Sequence, residues 1–180
     1  MKFNKSCVIY HGLGSKPAES RTKMLNELGY VVMSEHHNYH DEWNKDKGKS
    51  LFLRELKKIN KVDLIIGISF GGYLAYQLSK TTGIDLLLIN AAIDRDKSKS
   101  VIRHFDINYD DKPSNIELFF GENDTSVPKE FALEYLSSKK EDFIYHIIHE
   151  MAHRIPDRYF KEILEKSKLI KNASIIKTTN

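Results

Sequence analysis

Cysteine is nearly absent. Cys7 stands alone in 180 residues, so no internal disulfide can form, and its place in the apolar run Cys7–Tyr10 makes it a buried strand residue. Charge of one sign is also lacking: Lys and Arg total 28 against 25 Asp and Glu, and the lysines are scattered, so no basic block offers itself to nucleic acid. Nothing approaches the roughly 20 apolar residues of a membrane span. The run behind Lys2 and Lys5 reaches Gly12 too soon to form the apolar centre of a signal peptide. These absences lead to the expectation of a soluble, cytoplasmic protein. Internal repeats and low-complexity linkers are missing as well, and the length suits one core, so residues 1–180 are expected to form a single domain with a frayed polar tail over 171–180.

What the chain does contain is an alternation. Short β-branched or leucine-rich runs recur at Ser6–Tyr10, Tyr30–Ser34, Val62–Ile68, Asp85–Asn90, Ile116–Phe120 and Phe143–Ile148, which predicts six buried strands. Between them apolar residues fall at helical spacing: Leu25 and Leu28; Leu51, Leu56 and Ile59; Phe70, Leu74 and Leu78; Phe131 and Tyr135; Tyr159, Phe160, Ile163 and Leu164. Gly29 and Gly83 punctuate helix ends, and Pro128 and Pro156 stand where first turns begin. The predicted class is α/β, a three-layer sandwich with a mostly parallel six-stranded sheet. The long connection from Ala91 to Ser114 is too short for a lid domain.

Gly67, Ile68, Ser69, Phe70 and Gly71 spell GxSxG between the third strand and the following helix. In that context the turn is so sharp that glycines must flank the serine, and its hydroxyl stands free as a nucleophile. A serine needs a base to take its proton and two donors for the oxyanion that forms. His153, after the last strand, is the candidate base. Asp124, in the GxxDxxVP stretch Gly121–Pro128, is the candidate acid, with Asp94 after the fourth strand as its rival. His11, Gly12, Leu13 and Gly14 follow the first strand, so the N–H groups of Leu13 and Phe70 are the candidate oxyanion hole, and His11 is assigned a structural role in that loop. Gly12, Tyr73 and Ala91 are candidate substrate contacts. In the expected order of strands, the first and third are neighbours whose helices cover opposite faces, which brings the Leu13 loop and Ser69 to one crevice.

With these motifs the sequence resembles the α/β-hydrolase superfamily over nearly its whole length, and most closely its small capless bacterial esterases of the YqiA type. The shared features are the HG-containing first loop, Gly71, Gly72 and Tyr73 after the serine, and the Asn90–Ala91 pair. The resemblance implies esterase activity on short acyl esters through a Ser-Asp-His triad, without a cofactor or a metal. The departures are Met151 and Ala152 before the histidine and the lack of the superfamily's first two strands. A thioesterase or acyltransferase with the same triad, and a catalytically silent relative that binds a protein partner, are the alternatives.

Two histidine motifs compete. His149, Glu150 and His153 spell HExxH, which on a helix would hold zinc, but the preceding run is strand-like and Pro156 falls where that helix must continue. Glu35, His36, His37, His40 and Asp41 form a cluster after the second strand, expected as a polar loop with surface histidines. The expected enzyme is thus a carboxylic-ester hydrolase acting on a small-molecule ester in a shallow, open cleft; oligomeric state is not legible.

Overall fold

The computed structural model describes residues 5–93 and 111–175, with side chains as far as Lys171. Six strands, β1 (Lys5–Tyr10), β2 (Tyr30–Met33), β3 (Leu64–Ile68), β4 (Asp85–Ile89), β5 (Ile116–Gly121) and β6 (Phe143–Ile148), form one sheet in the order β2-β1-β3-β4-β5-β6. Every pairing is parallel. Seven helices accompany them: α1 (Glu19–Glu27), α2 (Tyr39–Asp46), α3 (Lys49–Lys58), α4 (Gly71–Thr82), α5 (Lys129–Ser138), α6 (Asp157–Lys166) and α7 (Lys168–Ile175). The three-layer α/β class predicted from the sequence is the class observed.

The period-2 geometry of strands divides the apolar residues between two cores. Cys7 and Ile9 of β1, with Ile66 and Ile68 of β3, pack against Leu25 of α1 and Phe160 and Ile163 of α6. Val8 and Tyr10, with Ile65, Leu86 and Leu88, pack on the other face against Trp43, Phe52, Leu74 and Leu136 of α2 to α5. Burial has removed Cys7 from redox chemistry: it is fully buried, and desolvation, helped by the charge of Asp63, pushes its thiol up to about 12. The strands β3, β4 and β5, covered on both faces, are buried almost throughout, as their continuous apolar runs require.

Helix punctuation falls close to expectation. Gly29 follows α1 with φ 85° and Gly83 ends α4 with φ 77°, left-handed positions that favour glycine. Pro128 and Pro156 stand one residue before α5 and α6. Two expectations need correction. The cluster Glu35–Asp41, expected as a polar loop, runs into α2 at its C-terminal end, because Tyr39 and Trp43, four residues apart, bury one face of a short helix capped by Asn38. Of the tail expected to fray over 171–180, residues as far as Ile175 are helical in α7, and 176–180 lie outside the described residues. Among the described residues no helix is long and apolar enough to cross a membrane.

Candidate active site

Because all six strands run the same way, the loops leaving β1, β3, β4, β5 and β6 meet at one edge of the sheet. β1 and β3 are neighbours, yet α1, which follows β1, and α4, which follows β3, lie on opposite faces. The crevice between those two loops is where open parallel sheets bind ligands.

Ser69 leaves β3 with φ 51°, a left-handed conformation costly for a residue with a side chain. Backbone bonds hold it there. Its N–H donates to the Ile89 carbonyl at 3.0 Å, and its own carbonyl accepts from Gly72 and Ala92, each at 3.0 Å. Glycine on both sides is a packing requirement: a Cβ at Gly67 would lie 2.6 Å from the Ala75 Cβ, and one at Gly71 would strike the carbonyl oxygens of Tyr10 and His11. The GxSxG spacing is therefore set by the close approach of α4 to β1 and β3.

Ser69 Oγ lies 2.9 Å from His153 Nε2, and His153 Nδ1 lies 2.9 Å from Asp124 Oδ2. The imidazole side chain is 30% exposed and the carboxylate 3%. Asp124 Oδ1 is occupied too, accepting from Ser126 N–H at 2.9 Å and Val127 N–H at 3.0 Å. Burial alone would raise the carboxyl's pKa, but the hydrogen bond from His153, the two N–H donors and the positive charge available on the ring outweigh it. The net shift is downward. Asp124 therefore stands as an ionised acceptor that dictates which ring nitrogen carries the proton. Asp94, the rival acid, lies outside the described residues.

The loop that carries His153 is tied down by a residue to which sequence reasoning gave no role. Asn90, fully buried at the end of β4, donates from Nδ2 to the carbonyls of Ala152 at 2.9 Å and His153 at 3.3 Å. Its Oδ1 accepts from Gly121 N–H at 2.7 Å, and its φ of 46° is one that asparagine tolerates better than most residues. One side chain thus fixes the end of β5 and the histidine loop together. Only the Asn90–Ala91 pair hinted at it.

His11 is buried at 2% exposure and bonded at both nitrogens. Nε2 accepts from the His37 N–H at 2.9 Å, so the ring proton sits on Nδ1 and is donated to the Gly12 carbonyl at 2.8 Å. Desolvation, with help from the charge of His36, lowers its pKa against the opposing effect of the Gly12 carbonyl. A neutral His11 pins the Gly12–Leu13 segment, in keeping with its expected structural role. His37 is likewise buried and stacks on His11 with centroids 5.9 Å apart, which corrects the expectation of surface histidines there; His36 and His40 are exposed.

Leu13, Ser69 and His153 line a common cleft of about 570 Å³. Among the described residues no acceptor takes the N–H of Leu13 or of Phe70, so both donors are free, one in the cleft wall and one on the residue directly after Ser69. Gly12 also lines the cleft. Tyr73 and Ala91 do not: Tyr73 packs on Trp43 with centroids 6.4 Å apart, and Ala91, 1% exposed, closes against Gly72. Both belong to the core, which removes them as substrate contacts. The HExxH stretch is not helical. His149 and Glu150 form a turn after β6, His149 is paired with Glu122, and His153 is turned toward Ser69; the side-by-side imidazoles that a helical zinc motif needs are not formed.

A parallel sheet carrying a Ser–His–Asp hydrogen-bond chain at its switch point defines the class. More particularly, comparison with solved structures shows the α/β-hydrolase fold. An esterase domain from Rhodothermus marinus is similar with a TM-score of 0.67 at 14% identity, covering 95% of this chain and 86% of that one. SOBER1 from Arabidopsis thaliana gives 0.63 at 14% identity, covering 93% and 98%. The S-formylglutathione hydrolase FrmB from Staphylococcus aureus gives 0.64 at 16% identity, covering 97% and 81%. Neither a protein-family model nor a curated protein matches the sequence.

Proposed function

We propose that the protein is a serine hydrolase acting on carboxylic esters, with Ser69 as nucleophile, His153 as general base and Asp124 as the group that orients and stabilises the imidazole. The observation that carries this reading is the unbroken chain from Ser69 Oγ through His153 to Asp124, 2.9 Å at each link, on the wall of a cleft. The likeness in fold to hydrolases and esterases supports it.

Ser69 Oγ attacks the acyl carbon while His153 Nε2 takes its proton. The carbonyl oxygen, now negative, accepts hydrogen bonds from the N–H groups of Leu13 and Phe70. Collapse of the tetrahedral species expels the alcohol, which leaves with the proton from His153. Water then attacks the acyl carbon while giving its proton to the same nitrogen, and collapse of the second tetrahedral species breaks the bond to Ser69 Oγ, which takes that proton back from His153 as the acid leaves. Asp124, buried and ionised, holds the proton of His153 on Nδ1 so that Nε2 is free to accept.

Labelling with a fluorophosphonate followed by peptide mapping tests the nucleophile directly. The label is expected on Ser69, and the Ser69→Ala variant is expected to lose both label and ester hydrolysis while keeping its melting temperature. Unchanged turnover in that variant, or a label elsewhere, overturns the assignment.

A further inference from the structure

The charges among the described residues that line the cleft are of one sign. Lys16, Arg21 and Arg154 line it together with Leu13, Ser69 and His153, and no carboxylate is among its described lining residues. The chain as a whole is nearly balanced, with 28 basic and 25 acidic residues. At the opposite end of the sheet, a second cleft mixes Lys5 and Lys168 with Asp63, Asp85 and Glu117. A further cleft at that end carries Asp85 and Asp142 without a cation, so the Ser69 cleft differs from both in being lined by cations alone.

Several cations elsewhere are ion-paired, as Arg54 is with Glu42, Lys58 with Glu35 and Lys80 with Glu141. Among the described residues Lys16, Arg21 and Arg154 have no carboxylate within salt-bridge distance. Arg21 is anchored: it donates from Nη2 to the Ile155 carbonyl at 2.8 Å and its guanidinium lies 5.3 Å from the centre of the Phe160 ring. Its Nε–H is nonetheless buried without an acceptor, which is costly unless something supplies an oxygen. Asp157, whose charge acts on Arg21, accepts from Ser20 Oγ at 3.0 Å. The only acidic side chain in the catalytic chain, Asp124, is committed to His153 and two N–H groups.

We infer that the cleft selects anionic esters, substrates that carry a carboxylate near the scissile bond, with Lys16, Arg21 and Arg154 as the recognition charges. This rests on the serine-hydrolase reading above and names its substrate class. A planar guanidinium on a fixed stem matches a carboxylate, and exposed Lys16 and Arg154 add a field that concentrates anions at the cleft mouth.

The test uses two matched ester pairs. For the acyl side, p-nitrophenyl hydrogen glutarate is compared with p-nitrophenyl valerate. For the alcohol side, p-carboxyphenyl butyrate is compared with p-acetylphenyl butyrate. In at least one pair kcat/KM for the anionic ester is expected to exceed that for the neutral one by about tenfold, and which pair does so tells on which side of the ester bond the carboxylate sits. The preference should fall about tenfold in the Lys16→Glu/Arg154→Glu double variant, whose side chains are exposed, and shrink as salt rises from about 0.05 to about 0.5 M. Arg21 is left intact because its loss would also free the Ile155 loop. Equal or better turnover of both neutral esters, with Ser69 still taking the fluorophosphonate label, overturns the anionic preference and leaves the hydrolase standing. A preference that survives the double charge reversal overturns the role of Lys16 and Arg154. Absence of both label and turnover removes the hydrolase reading and this inference with it.

Discussion

Strands β5 and β6 and the loops that leave them carry two buried carboxylates, each bonded to an imidazole. Toward the start of the strands Glu117 Oε1 lies 2.8 Å from His146 Nε2; beyond their ends Asp124 Oδ2 lies 2.9 Å from His153 Nδ1. Exposure does not tell them apart: the side chains are 2% and 25% exposed in the first pair and 3% and 30% in the second. What differs is the far side of each ring. His153 meets the Ser69 hydroxyl, whereas His146 stacks on Phe119 at 4.4 Å and its other nitrogen has no partner among the described residues. Glu117 spends its remaining capacity on structure, accepting from Ser167 Oγ and from the N–H groups of Lys168 and Leu169, which fastens the α6–α7 junction to the sheet. A carboxylate–histidine pair is therefore chemically idle until a nucleophile and a cleft complete it.

The comparison breaks most sharply if the acids are exchanged for amides. Asp124→Asn should lower kcat by about 10⁴-fold, because an amide can favour the wrong ring tautomer and cannot stabilise the imidazolium. Glu117→Gln should leave kcat/KM within about threefold of wild type and destabilise the fold by about 2–4 kcal/mol, since a buried acceptor of four hydrogen bonds becomes half a donor. Steady-state kinetics and urea melts on both variants read the two columns of this cross. A large kinetic loss in Glu117→Gln would mean that the pairs are not independent.

Acid titration sharpens the same contrast. Burial would raise the pKa of Glu117, but the bonds from Lys168, Ser167, Leu169 and His146 overcome it and the net shift is downward. A carboxyl with a lowered folded pKa binds protons more readily when unfolded, so its stabilisation is complete above the ordinary carboxylate value, about 4.3, and is lost as pH falls through the folded value. The stability gap between wild type and Glu117→Gln should therefore be constant near neutrality and narrow below about pH 4.3. Urea midpoints across that range measure it; a gap that widens in acid contradicts the sign. Asp124 shifts in the same direction, so Asp124→Asn should lose part of its acid sensitivity too.

Much of this is legible in the sequence. β-branched or leucine-rich runs marked all six strands, but the expectation that all six are buried holds for β3, β4 and β5 and not for the edge strands β2 and β6, which leave Val31, Ile144, Tyr145 and Ile147 exposed. GxSxG marked the turn because the close packing of α4 on β3 and β1 forbids side chains at Gly67 and Gly71. Other features were hidden for physical reasons. The polar stretch Tyr39–Asp46 forms a helix on the strength of two buried aromatic residues, Tyr39 and Trp43, too few for a periodicity count to register. Tyr73 and Ala91 stood beside the motif in sequence, but α4 turns Tyr73 into the core, and Gly72 admits Ala91 as close packing. Glu117 was invisible inside an apolar run, since what makes a buried carboxylate tolerable there comes from residues 146 and 167–169, far along the chain.

The smallest expected effect isolates what an imidazole contributes in each pair. Glutamine is the useful substitute because its amide can still donate one hydrogen bond to a carboxylate but cannot accept and return a proton at neutral pH. In His146→Gln the Nε2–H₂ group can take over the bond to Glu117, so the loss is confined to ring stacking on Phe119, about 0.5–1.5 kcal/mol, and kcat should stay within about twofold of wild type because the ring touches no reacting group. In His153→Gln the same amide can satisfy Asp124, so stability should change as little, yet ester hydrolysis should fall toward the level of Ser69→Ala because nothing remains to take the Oγ proton. Matched melting temperatures with sharply unequal kcat would establish that the two histidines differ in what lies beyond them and not in how they are held. If His146→Gln lowered kcat as far as His153→Gln does, the inner pair would have to communicate with Ser69 along β6, and the separation drawn between the two ends of these strands would fail.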